Sequence, residues 1–205
     1  MRLFAFTSSA MPVIAIQILV LLLSDHAFGA VISIERRMWS AKDLKNSAYR
    51  KEAKKYNNGA YLPNASNTKV VWKKGGNGDA EHIIEPGAHI KPVLIELGIQ
   101  KNTDFHKEVK KVLNDKNNLS MLDPAANKAK AKLAANPKGD PKRKAIAMHY
   151  LQQSSIKQKA SKTMAELGRA AKKHKIKNFE AKVKDNVKGI FPHIKRSGLD
   201  EYYLD

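Results

Sequence analysis

The chain of 205 residues contains no cysteine, so neither a disulfide nor a thiolate-bound metal can hold its fold together. Packing, or a metal held by oxygen and nitrogen ligands, must do so. Acidic residues are few: 19 Asp and Glu stand against 38 Lys and Arg, a formal charge of +19 that points to a polyanionic partner, nucleic acid ahead of an anionic membrane or cell wall. No apolar run is long enough to cross a bilayer, the longest being Met11 to Leu23, so no membrane anchor is expected. Aromatic residues are sparse, and Trp39 and Trp72 read as core rather than as platforms for bases. The glycine-rich stretch Gly75-Gly76-Asn77-Gly78 precedes a strand pattern rather than a helix, which excludes a phosphate loop of the usual kind. There is no Ser-His-Asp nucleophile motif and no internal repeat.

What is present begins with Arg2, the Met11–Leu23 run and the small-residue pattern Ala27-Phe28-Gly29, together read as a secretory signal peptide over 1–29. The remaining residues, 30–205, suit one domain with a modest core, expected to be secreted and monomeric. Arg36-Arg37 is a candidate dibasic processing site, and Asn64-Ala65-Ser66 and Asn118-Leu119-Ser120 are glycan acceptors in a eukaryotic source.

Hydrophobic spacing orders the rest of the chain. Helix in part is expected between Val31 and Tyr56, then a hairpin made of Thr68–Trp72 and Ala80–Glu85. Two helical patterns come next, at Ile90, Val93, Leu94 and Leu97 and at Phe105, Val109, Val112 and Leu113. Asn114–Asn118 (NDKNN) reads as a turn and Leu119–Leu122 as a strand. Asp123-Pro124 is an N-cap with proline in the first turn, so a helix is expected from Pro124 to about Ala135. After the break at 136–141, Ile146, Tyr150, Ile156, Ala160, Met164, Leu167 and Ala171 predict one long or two shorter amphipathic helices ending before Lys175. A short helix is expected after Asn178, and the tail is DEYYLD.

One stretch of this basic chain, Gly78-Asp79-Ala80-Glu81-His82-Ile83-Ile84-Glu85-Pro86, concentrates acids and a histidine behind a turn. Downstream lie Asn118 immediately before a strand and Asn127 on the capped helix, nine positions later. The pieces AEHIIEP, NLSML and DPAANKAK resemble the HNH endonucleases, the ββα-metal nuclease fold, over residues 78–130. The resemblance implies an α+β fold, mostly helical, in which a small ββα-metal core (a β-hairpin plus a helix, 78–135) carries an inserted helical pair and amphipathic helices over 141–190.

It also implies roles. His82 would be the general base that takes a proton from water, and Asn118 the clamp that holds the histidine's strand through backbone contacts. Glu81 or Asp79, with the Asn127 amide oxygen, would bind one divalent cation, expected to be Mg2+, to neutralise charge on the reacting phosphate. Lys128, Lys130, Lys132, Lys142 and Arg143 would contact phosphates of the DNA or RNA substrate. The expected function is a secreted metal-dependent nuclease, with a toxin or host-directed effector as one setting for it. The alternative is a non-catalytic secreted basic protein that binds nucleic acid or an anionic surface. Departures from the pattern are a long connection of 36 positions between His82 and Asn118, glutamate where aspartate is commoner, and Asn117 as a competitor of Asn118.

Overall fold

A computed structural model describes residues 39–57, 78–136 and 138–191, and the backbone alone at 61–63 and 69–71. The signal-peptide segment, Arg36-Arg37, the Asn64 sequon, Trp72, the glycine-rich turn before Gly78 and the DEYYLD tail lie outside the described residues. The unit from Ser40 onward is α+β and, among the described residues, mostly helical.

A 3-10 turn at Ala41–Leu44, capped by Ser40, leads to α1 (Tyr49–Tyr56). Two short strands come after it, β1 (Tyr61–Pro63) and β2 (Lys69–Val71), which pair antiparallel with each other. Then come β3 (Asp79–His82), a π-helical turn (Pro86–Ile90), α2 (Lys91–Glu96), α3 (Asp104–Leu113), β4 (Leu119–Leu122), α4 (Pro124–Ala135), α5 (Pro141–Leu151), α6 (Ser154–Lys173) and α7 (Phe179–Val187). The expected hairpin is therefore corrected. The described part of the Thr68–Trp72 run pairs upstream with β1, and β3 pairs with β4 across the two inserted helices, with Asp79 opposite Leu122 and His82 opposite Leu119. Nothing local dictates that pairing, because a strand takes whichever edge its buried face can share.

Successive strand residues point to opposite faces, and that alternation organises everything nearby. On one face Ala80, Leu119 and Met121 pack with Tyr49 and Ala53 of α1. The other face carries Asp79 and Glu81 and is covered by α4. Helix α4 starts where local chemistry predicts: the Asp123 carboxylate accepts from the N–H groups of Ala125 and Ala126, and Pro124 occupies the first turn. A second layer forms where α3, α6 and α7 meet. There Phe105, Val109 and Leu113 of α3 are buried, as are Leu167 and Ala171 of α6. Phe105 meets Phe179 of α7 edge-on at 4.9 Å.

Candidate functional site

The end of β3 is pinned by Asn118. Its side-chain oxygen accepts from the Ile84 N–H at 2.7 Å, and its amide donates to the carbonyls of Ile84 at 3.2 Å and Leu113 at 2.9 Å. The Asn118 carbonyl also accepts from the Ile83 N–H at 2.8 Å. The side chain is fully buried, 0% exposed, so its amide nitrogen offers no access for a glycan in the folded chain. Asn117, its competitor, is instead half-buried with its amide 3.5 Å from Glu166.

His82 sits on the α1 face of the sheet. Its ring lies 4.9 Å from that of Tyr49, and it is 2% exposed. Burial lowers its pKa to about 4, so the imidazole is neutral at physiological pH. Its Nε2 stands 3.2 Å from the Asn114 side-chain oxygen, which can only accept, so Nε2 carries the proton. Asn114 is itself fixed, accepting from the Asn46 N–H and donating to the carbonyls of Leu44 and Lys110. The tautomer is thus set by a side-chain amide, at a residue whose turn-like context gave no hint of the role.

The opposite face of β3 holds a second cluster. The ammonium of Lys130 on α4 donates to Glu81, to the His82 carbonyl and, at 2.8 Å, to Glu85. The second oxygen of Glu81 accepts from the Tyr150 hydroxyl of α5. Lys130 is 0% and Glu81 3% exposed. Burial alone would lower the pKa of Lys130, but Glu81 and Glu85 outweigh it and hold the ammonium above its ordinary value. Burial pushes the Glu81 carboxyl up against the pull of Lys130, while for Glu85 the ammonium overcomes burial and holds the pKa low. Tyr150 is pushed well above the usual phenol range by burial and by the neighbouring Glu81, so it remains a neutral donor.

Three expectations are corrected by this geometry. Glu81 is not available as a metal ligand, since Lys130 and Tyr150 occupy both its oxygens. Lys130 cannot meet a phosphate, because its charge is wholly inside. His82 and Asn127 do not face one another. The Asn127 amide meets Asp79 at 3.2 Å on the α4 face, whereas the His82 ring is on the α1 face. The reason is the two-residue period of a strand: Asp79 and Glu81 point one way and His82 the other. Asp79 and Asn127 do come together, both half-buried, and supply one carboxylate and one amide. Among the described residues no group of three or more His, Cys, Asp or Glu side chains is placed to hold a metal ion. Of the two ligand pairs expected for Mg2+, the structure therefore brings Asp79 together with Asn127 and leaves Glu81 engaged elsewhere.

Lys128, Lys132, Lys142 and Arg143 are exposed. Lys130 differs from them for a reason that was readable: the buried positions of α4 are Ala126, Ala129, Lys130 and Leu133, a helical stripe on which Lys130 falls. Tyr150 likewise falls on the apolar spacing of its own helix, whereas Glu85 carries no comparable signal in the sequence. Among the other described histidines, His106 links Asn102 to Asp43, and His174 meets Glu108 at 2.7 Å. No protein-family model, curated protein or solved structure matches the chain.

Proposed function

We propose that this is a secreted, non-catalytic nucleic-acid-binding protein. Its strand–strand–helix unit, β3–β4–α4, has its cation place filled by the chain's own lysine. The observation that carries the reading is Lys130, whose ammonium is buried against Glu81, Glu85 and the His82 carbonyl, where phosphodiester cleavage would call for a divalent cation. The excess of Lys and Arg over Asp and Glu supports a polyanionic partner, and among the described residues no helix is long and apolar enough to cross a membrane. Binding to phosphates by exposed lysines releases counterions, so affinity should fall steeply as salt rises.

A second reading, hydrolysis of DNA or RNA with His82 as base, is favoured by one arrangement. Asn118 fixes the strand end and the Asn114 side-chain oxygen accepts from the His82 Nε2–H, which leaves Nδ1 as the basic nitrogen. One experiment separates the two. The purified protein is incubated with supercoiled plasmid and with RNA in Mg2+, in Mn2+ and in EDTA, beside His82→Ala, while binding is followed on the same substrates. Salt-sensitive binding without strand breaks is expected in every condition. Metal-dependent nicking that disappears in His82→Ala would overturn the binding-only reading in favour of the enzyme.

A further inference from the structure

We infer that the groove at the corner between α4 and α5 is where the protein takes the phosphate backbone of duplex nucleic acid. This rests on the binding function proposed above and names its site.

Charge is concentrated in this part of the chain: residues 124–144 hold seven Lys and Arg against one acid, Asp140, and of the seven only Lys130 is buried. The groove is lined by Lys132 and Asn136 from the end of α4 and by Arg143 and Lys144 from the start of α5. All four are exposed, and Lys128 projects one turn before Lys132 on the same helix. Asp140 is the one acid in the lining. Its carboxylate accepts from the Lys142 N–H and so caps α5, and its 3.7 Å approach to Arg143 is between exposed groups, which holds the guanidinium only weakly. Three cations thus face an incoming phosphate across a concavity, with a side-chain amide beside them.

The lining also says what kind of polyanion fits. It has no aromatic residue, so it offers no platform on which the bases of a single strand would stack. Contacts restricted to phosphates carry no sequence information, and the duplex backbone presents those phosphates at fixed spacing. An anionic membrane is the poorer fit, because insertion into a bilayer interface uses apolar side chains and Tyr56 on α1 is the single exposed large hydrophobic among the described residues.

The test is fluorescence anisotropy of a short labelled duplex of mixed sequence across a salt series. It compares the full protein with Lys132→Glu/Arg143→Glu/Lys144→Glu and with Lys51→Glu/Lys54→Glu/Lys55→Glu. The second triple makes the same charge change on exposed residues of α1, which packs on the other face of the β3–β4 sheet. Circular dichroism confirms that both variants fold. The groove triple should weaken binding by about tenfold or more and lower the slope of log K against log salt by about 2, while the α1 triple retains the slope. Equal losses in both variants would refute the groove and leave the binding function standing, since a diffuse field would then suffice. A wild-type protein that ignores the duplex, or prefers phosphatidylserine vesicles to it, would refute both.

Discussion

A buried ammonium is costly to desolvate, and Lys130 tolerates its position because two carboxylates and a carbonyl converge on it. Replacing it alone leaves Glu81 inside with one neutral partner, the Tyr150 hydroxyl. Lys130→Met keeps most of the apolar stem yet should cost about 3 to 5 kcal/mol in urea denaturation, and adding Glu81→Gln should return part of that loss. A single variant that loses under about 1 kcal/mol would mean that the ammonium reaches water in solution. Asn118 presents a different case, because its uncharged side chain serves three backbone groups of buried segments. Asn118→Ala strands all three, and with about 1 to 3 kcal/mol for each buried orphan the combined effect should be at least about 2 kcal/mol by thermal unfolding.

Among the elements, α4 matters most, since it carries Lys130 on its inner stripe and Lys128 and Lys132 on its outer one. Its start depends on one carboxylate. Asp123→Ala removes the acceptor for two N–H groups and should destabilise the protein by about 1 kcal/mol, measurable as a lowered urea midpoint at unchanged slope. The bounds of α4 and of β4 were legible because their signals are local: a capping Asp, a Pro in the first turn, an apolar run after a polar turn. The break between α5 and α6 was legible only as an alternative, the apolar spacing being compatible with one helix or two. The partner of β3 was not legible, since its hydrogen bonds run to a strand beyond two helices. Lysine invites a surface assignment by habit, yet residue 130 follows the apolar spacing of its helix, and that spacing should have outweighed the habit. The joint placement of His82 and Asn127 failed on a rule available beforehand, the alternation of a strand's faces.

For the molecule as a whole, acid should be a weakness that its lysines do not cause. Burial lowers both His82 and His89 to about 4. His89 accepts from the Glu85 N–H through Nδ1, and its Nε2 has no hydrogen-bond partner among the described residues. In the unfolded chain both imidazoles protonate near 6.5, so between that value and 4 the unfolded state binds more protons and stability must rise with pH. The stabilisation is complete above about 6.5 and is lost as pH falls toward 4, on the order of 3 kcal/mol for each ring. Glu85, Asp43 and Glu108, held below their ordinary values, extend the loss in the same direction at lower pH. Chemical denaturation across this range should therefore show stability level near neutrality and falling through the acid window, with about half the fall removed in His89→Gln. Glu81, held above its ordinary value, works in the opposite direction, so the comparison with His89→Gln carries the test: identical profiles would show that the His89 ring takes up its proton in the folded chain as readily as in the unfolded one.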